Sequence, residues 1–220
     1  MIKINKLQEP TILSENKDSW KEELLTSIQS GIKFSPTIYN RYNNTEIKKK
    51  LKEESNNKCM YCESVVNHIA HEHIEHFRPK AKSKYPELTF EWNNLGLSCP
   101  ICNINKSDEF DEELPFVNPY VDDPDDFFKA LGNMIFPLPG NKRAELSRSI
   151  IKLNRPELIQ SRTERLNAIE VLITRYFETT NKTLSQAIFN EILIEIGKDK
   201  PYSMCAKSLF DSIFPLKQSS

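Results

Sequence analysis

Residues 59–106 carry the four segments that decide the fold: CMYC at 59–62, HIEHFRPK at 73–80, WNNL at 92–95 and CPICNINK at 99–106. The stretch from Cys59 to Lys106 holds four of the five cysteines and all four histidines of the 220-residue chain. Thiolate, imidazole and carboxylate groups are the usual metal ligands of proteins. The stretch therefore predicts a centre organised by metal ions.

The composition excludes several classes of protein. Hydrophobic residues make up 38% of the chain and charged residues 28%, and glycine occurs five times, which is typical of a soluble, helix-rich protein. No apolar run approaches the roughly 18 residues that span a bilayer, and residues 1–5 lack the apolar block of a signal peptide. We therefore expect a cytoplasmic protein that does not bind membranes. The net charge of -1 identifies no partner, but a nucleic-acid enzyme would need a local basic patch.

Four of the cysteines form two C-x2-C pairs: Cys59 with Cys62, and Cys99 with Cys102. Such pairs favour metal thiolates in a reducing compartment over disulfides, although ordinary reduced cysteines are the simpler alternative. Four thiolates can hold one Zn²⁺ in a closed shell with no position for water, so the predicted role is structural. The pairs are 36 residues apart, against ~15–20 in a zinc ribbon, so the zinc is expected to clasp an inserted segment. The fifth cysteine, Cys205, is expected to be buried.

The inserted segment contains the pair Glu75-His76. A neutral imidazole takes a proton from water near neutral pH, and a carboxylate binds a hard divalent cation. Metal-assisted phosphodiester hydrolysis requires both functions, although the pair alone is weak evidence for it. The other histidines, His68, His71 and His73, are also consistent with a solvated hairpin. His73 is in addition a candidate ligand of the cation.

The ordered set of His76, Asn94, Asn103 and Lys106 around the cysteines resembles the HNH endonuclease family in its zinc-containing, His-Asn-Asn form. The segments CMYCES (59–64), IEHFRPK (74–80) and WNNL (92–95) are similar to the nuclease subunits of Septu and retron-associated anti-phage systems. The resemblance covers residues 55–110. It implies two strands and a helix around one catalytic metal, a DNA substrate and an ATPase partner subunit of the PtuA type.

The resemblance implies a role for each matching residue. His76 would be the general base that activates water, and Glu75 and Asn103 would bind a catalytic Mg²⁺ or Mn²⁺. Asn94 would hold the loop between the strands and orient His76, and Lys106 would face the phosphate. Many family members have Asp where this chain has Glu75, which leaves open whether the longer side chain reaches the cation.

Basic residues occupy every second position after His76: Arg78, Lys80, Lys82 and Lys84. If the segment is extended, their charges share one face beside the active site and form a track that binds the phosphate backbone. Pro79 and Pro86 are equally consistent with a solvated loop that contains turns. A second basic run, Lys48-Lys49-Lys50 with Lys52, is interpreted as a solvated helix face, with a phosphate contact as the alternative.

The spacing of apolar residues and the positions of Pro and Gly divide the chain into four parts. They are an N-terminal arm and helices (1–54), the HNH centre (55–112), an acidic Pro-rich connector (113–140) and a helical region (141–220). The arm, residues 1–16, alternates like a short strand up to Pro10, and helices are expected from Asp18 and from Thr45. In the last part, a stripe that ends with Tyr176 and Phe177 is expected to be core.

The predicted fold is α+β and mostly α-helical, with a small ββα-metal HNH centre and a four-cysteine zinc site flanked by helices. The predicted function is a metal-dependent endonuclease that cuts DNA in phage defence with an ATPase partner. An RNA or tRNA nuclease with the same centre is one alternative. A non-catalytic zinc ribbon that binds nucleic acid or protein is another, but it does not explain Glu75-His76, Asn94 and Asn103 in register with the cysteines.

Overall fold

The computed structural model describes residues 1–31, 36–66 and 72–215, so that His68 and His71 lie outside the described residues. Helices dominate these ranges: α1 (Thr11–Gln29), α2 (Pro36–Tyr39), α3 (Thr45–Ser55), α4 (Pro100–Lys106), α5 (Lys142–Ile150), α6 (Pro156–Glu178), α7 (Lys182–Glu195) and α8 (Ser203–Ile213). The strands are β1 (His73–His76), β2 (Leu95–Ser98), β3 (Phe128–Leu131) and β4 (Met134–Pro137). None of these helices combines the length and the apolar character that a membrane span needs.

The cysteine-rich stretch folds as two antiparallel strands followed by a helix. In the β1–β2 pair, Glu75 lies opposite Gly96 and His76 lies opposite Leu95. Helix α4 begins at Pro100, where the missing N–H of proline costs no hydrogen bond, with Cys99 as its N-cap. The predicted α+β class with an HNH-type ββα unit is confirmed.

Helix α3 supports this unit from the N-terminal side. Its start at Thr45 agrees with the sequence, and the side chain of Asn44 caps it by accepting a hydrogen bond from the Glu46 N–H. Ile47 and Leu51, one turn apart, are fully buried, and the helix packs on β2. The apolar side of α3 is therefore fixed against the centre, and its lysines lie on the other sides.

The strand-like reading of the N-terminal arm was wrong. Helix α1 begins directly after Pro10, seven residues earlier than expected, and residues 1–10 contain no strand. The apolar residues of the arm are instead used in tertiary contacts, since Met1 and Ile4 are buried and the Ile4 N–H donates to the Pro119 carbonyl. The helix ends as predicted before Gly31, which has a φ of +64°.

The predicted connector at 113–140 contains a β-hairpin that the sequence analysis missed. Strands β3 and β4 pair in antiparallel register, and Phe128, Ala130 and Ile135 of the hairpin are buried. The acidic run before it is also ordered, because the Asp122 carboxylate accepts two hydrogen bonds from Arg143, at 2.6 and 3.1 Å. Strands of four residues with a single buried face leave too little periodicity to recognise.

The C-terminal helices contribute to two cores. Leu158 and Leu166 in the first half of α6 belong to the main core, which also contains the ββα unit. Ile169 and Ile173 in its second half belong to a smaller core formed with α7 and α8. Phe177 was expected on the buried stripe but is 63% exposed. Cys205 is buried, as predicted.

Candidate active site and metal centre

The four predicted zinc ligands lie together. The sulfur atoms of Cys59, Cys62, Cys99 and Cys102 all fall within 4.8 Å of one another, and those of Cys62 and Cys99 are 3.8 Å apart. Tetrahedral coordination with Zn–S bonds of about 2.3 Å places its sulfurs ~3.8 Å apart, so the set fits one Zn²⁺. In the described ranges, no other three Cys, His, Asp or Glu side chains converge in this way. The cysteines are therefore positioned to bind a metal ion.

The ββα unit itself holds both cysteine pairs. The Met60 N–H donates to the Leu97 carbonyl of β2 at 2.8 Å, which seats the first pair on the strand. A side chain at Gly96 would overlap the sulfur of Met60, so glycine permits this close approach. The second pair opens α4, where the Cys102 N–H donates to the Cys99 sulfur at 3.5 Å. A bound metal would thus join the first pair to β2 and α4.

Arg155, which the sequence analysis missed, lies against the sulfur cluster. Its Nη1 is 3.5 Å from the Cys102 sulfur, and its Nη2 is 3.9 Å from the sulfurs of Cys62 and Cys99. Four thiolates around one divalent ion carry excess negative charge, which a guanidinium can balance. Its position directly before Pro156, the first residue of α6, places it at the start of that helix.

His76 ends β1 with its ring inside the centre, and only 6% of the residue is exposed. Its Nε2 lies 3.0 Å from the Thr89 carbonyl oxygen. Because a carbonyl only accepts, Nε2 carries the proton and Nδ1 is the acceptor. Burial, with a smaller contribution from the charge of Lys80, lowers the pKa of His76 to about 3. The imidazole is therefore neutral at physiological pH, with Nδ1 unprotonated.

Glu75 and Asn103 meet beside His76. The Asn103 amide donates from Nδ2 to Glu75 Oε2 at 2.8 Å, which leaves its Oδ1 as an acceptor. Burial raises the pKa of the Glu75 carboxyl, and the nearby Lys106 ammonium opposes this effect. Both residues line the same cleft, and carboxylate and amide oxygens are ligands that Mg²⁺ accepts. The pair thus fits a hard divalent cation.

Lys106 does not lie where the sequence analysis expected it. It was predicted to face the phosphate, but it is fully buried, with Nζ 2.8 Å from Glu75 Oε1. It also donates to the main-chain carbonyl of His76 at 3.2 Å. The reason is the buried carboxylate of Glu75, which needs a compensating charge inside the protein. Lys106 therefore positions both Glu75 and His76 from below the cleft.

We expect Lys106→Met to lower the free energy of unfolding by about 3–5 kcal/mol, because it leaves a buried carboxylate without its partner. Urea unfolding of the zinc-loaded protein measures the change. The double variant Lys106→Met/Glu75→Gln should recover part of the loss, since the uncompensated charge is gone. Lys207→Met is the control: its exposed pair with Asp211 should contribute little. A loss equal to that of the control would contradict the expectation.

Asn94 secures the segment after His76. Its Oδ1 accepts from the Arg78 N–H at 2.8 Å, and its Nδ2 donates to the carbonyls of Arg78 and Leu88 at 3.0 and 3.1 Å. Its own carbonyl accepts from the Phe77 N–H. The side chain is absent from the cleft lining. These contacts agree with the predicted role of Asn94 in holding the loop. Its effect on catalysis stays a prediction.

The basic segment after β1 is not extended, so its residues do not form the expected one-sided track. Hydrogen bonds from Lys84 N–H to the Ala81 carbonyl and from Tyr85 N–H to the Pro79 carbonyl close turns there. Arg78 pairs with Glu112 at 2.9 Å, and Lys82 and Lys84 are exposed. Lys80 alone of the four lines the cleft, with Nζ 4.1 Å from the Tyr39 ring centroid. The prolines explain the difference, since they favour turns.

The cleft that joins these groups has a volume of about 690 Å³. Its lining brings together the predicted His73, Glu75, His76, Lys80 and Asn103. It also contains Tyr42, whose ring packs edge-on against the His76 ring at 4.5 Å, and Lys48 of α3. Sequence reasoning did not single out Tyr42 or Thr89, because each contacts His76 only through the tertiary fold. The arrangement can bind a cation and deprotonate a water in one place.

Comparison with known proteins agrees with this geometry. The family model for HNH endonucleases matches residues 59–109, which span the cysteine pairs and the cleft. The chain is 33% identical over 204 residues to the Septu protein PtuB of Bacillus mycoides (strain KBAB4), and the match covers 78% of this chain and 69% of that protein. It is 34% identical over 144 residues to the Septu protein PtuB of Bacillus thuringiensis, covering 64% of this chain and 51% of the relative. The chain therefore belongs to the Septu PtuB family of HNH endonucleases, which makes it a nuclease of anti-phage defence.

Proposed function

We propose that the chain is a Mg²⁺- or Mn²⁺-dependent endonuclease that cuts DNA in the cytoplasm, together with an ATPase subunit, and that Zn²⁺ fills its four-cysteine site. One observation carries the catalytic part. The neutral His76 ring, with Nδ1 as its acceptor, lies in the same cleft as the hydrogen-bonded Glu75–Asn103 pair. Metal-assisted hydrolysis of a phosphodiester needs these two groups side by side.

The residues divide the reaction between them. When bound, the divalent cation polarises the scissile phosphate and stabilises charge on the leaving oxygen. Glu75 and Asn103 would hold that cation. His76 takes a proton from the attacking water at Nδ1, while its Nε2–H bond to Thr89 fixes the ring. Lys106 keeps the carboxylate and the end of β1 in place through its two contacts.

We assign the proposed ATPase contact to the C-terminal helices. Five of the ten exposed large hydrophobic residues of the described chain lie on α6 and α7: Val171, Phe177, Leu184, Leu193 and Ile194. A partner that packs on these two helices would bury these apolar side chains. All five cysteines are unpaired thiols, which suits the reducing cytoplasm.

The test compares plasmid DNA with single-stranded RNA and tRNA as substrates, with Mg²⁺, with Mn²⁺ and in cation-free buffer. The chain is assayed alone and co-expressed with the ATPase subunit of a Septu system. We expect DNA nicking only with added cation. Asn103→Ala should raise the cation concentration needed for half-maximal rate, because it removes a ligand. Asn105→Ala is the matched control on the same helix, where the side chain donates to the Ile151 carbonyl instead.

Four results would contradict parts of the proposal. Cleavage in cation-free buffer would show that the reaction does not need a divalent cation. Cleavage of RNA but not of DNA would favour the alternative of an RNA or tRNA nuclease. Failure of every assembly to cut any substrate would favour a non-catalytic zinc module. If the chain did not co-purify with the ATPase, the proposed partner would be wrong.

A further inference from the structure

The catalytic cleft continues into a second groove that runs along helix α3. Two residues, Lys48 and Glu72, line both the cleft and this groove. The rest of the groove is formed by one side of α3 and its C-terminal end, with Thr45, Lys49, Lys52, Glu53 and Asn57. The groove along α3 is therefore the neighbour of the cleft that contains His76, with Lys48 and Glu72 at their common border.

The sequence of α3 places three of its four lysines toward this groove. Thr45, Lys48, Lys49 and Lys52 occupy positions i, i+3, i+4 and i+7, which share one side of a helix. The buried Ile47 and Leu51 anchor another side of the helix to the core. The lysine stripe, defined as Lys48, Lys49 and Lys52, is thus held on a fixed support beside the active site.

The charges of the groove are unequally matched. Lys52 pairs with Glu72 at 2.9 Å, and Glu53 pairs with Lys50 at 3.1 Å. Within the described ranges, Lys48 and Lys49 form no ion pair within 4 Å, although the Glu72 pKa is lowered mainly by its hydrogen bond with Lys52 and to a smaller extent by the charge of Lys48. The two acidic residues of the groove are therefore already paired, and two ammonium groups are left to face an anion.

We propose that the lysine stripe binds the phosphate backbone of the DNA that enters the cleft. The inference rests on the proposed function and specifies its substrate path. The stripe takes the phosphate-binding role that the sequence analysis assigned to residues 78–84. Those residues form turns, so their charges do not share one face. A solvated helix face explains three lysines equally well, but it does not explain why Lys48 lines the catalytic cleft. Ammonium groups contact phosphates without reading bases, so binding along α3 is expected to be independent of sequence.

The test measures binding of a fluorescein-labelled 30-base-pair duplex by anisotropy at several salt concentrations, without divalent cation so that no cleavage occurs. The variant is Lys48→Gln/Lys49→Gln in the full-length chain. Each lost phosphate contact should lower the slope of log K against log salt by about 0.9, so the variant slope should be shallower by about 1.8. Affinity at low salt should fall several-fold. Lys142→Gln/Lys182→Gln removes the same net charge at two exposed lysines outside the groove and should bind like the unmodified chain.

Each outcome decides the inference. Equal slopes for the stripe variant and the unmodified chain would overturn it, as would equal losses in the control variant or no duplex binding by the unmodified chain. Normal DNA binding combined with lost co-purification of the ATPase would reassign the stripe to a protein partner. Because binding is measured without cleavage, failure of the stripe is distinguishable from failure of the proposed nuclease activity.

Discussion

His76→Ala should lower the rate of DNA cleavage by about 10²–10⁴-fold, the usual contribution of a general base. The Nε2–H bond to the Thr89 carbonyl commits one ring nitrogen and leaves Nδ1 to take the proton from water. The other histidine of the described cleft lining, His73, lies at the start of β1, two residues before Glu75. The hydrogen bond to the Thr89 carbonyl belongs to His76. Plasmid nicking with saturating Mg²⁺ measures the loss.

Loss of activity must be separated from loss of packing, because the buried His76 ring contacts Tyr42. Tyr42→Leu removes that ring contact and keeps the base, so it should lose far less activity than His76→Ala. Zinc content and the melting temperature of His76→Ala should show that the fold survives. A variant that lacks His76 and still cuts at the original rate would show that the base lies elsewhere.

The parts of the site that the sequence predicted are those fixed by local spacing. Two C-x2-C pairs place their thiolates in tight turns, so Cys59 and Cys99 could be assigned before any fold was known. The choice of His76 as the candidate base followed from its resemblance to the HNH pattern. These residues were found because short segments of the chain determine their geometry.

The parts that the sequence did not predict depend on distant contacts. Lys106 and Glu75 are 31 residues apart in the sequence, and they meet because α4 packs against β1. Lys106 was predicted to face the phosphate, but in the fold it is the buried partner of the Glu75 carboxylate. Arg155 reaches the sulfur cluster from 53 residues beyond Cys102. The α3 lysines read as an ordinary solvated face until their helix was placed beside the cleft. Periodicity gives the side of a helix that is buried, but it does not say what the exposed side faces.

Loss of the structural metal should have the largest effect on stability. Structural Zn²⁺ contributes about 10–16 kcal/mol to folded zinc-finger peptides, as much as the whole stability of a typical domain. We expect Cys102→Ser to lose its zinc and to unfold the ββα centre. Zinc content by atomic absorption and the melting temperature measure both effects. Cys205→Ala is the matched control, since Cys205 is about as buried as Cys102 but lies in α8.

Zinc loss should also abolish cleavage, for a structural reason. Cys102 precedes Asn103 on α4, and a metal bound by the four cysteines would join that helix to β2 and to the first cysteine pair. Without a metal, the contacts of Asn103 and Lys106 with β1 would have to hold α4 in place by themselves, so we expect the catalytic groups to separate. The Cys205→Ala control should keep one zinc per chain and its activity. If Cys102→Ser kept both the metal and the melting temperature of the unmodified chain, the four sulfurs would not form the site that holds this centre together.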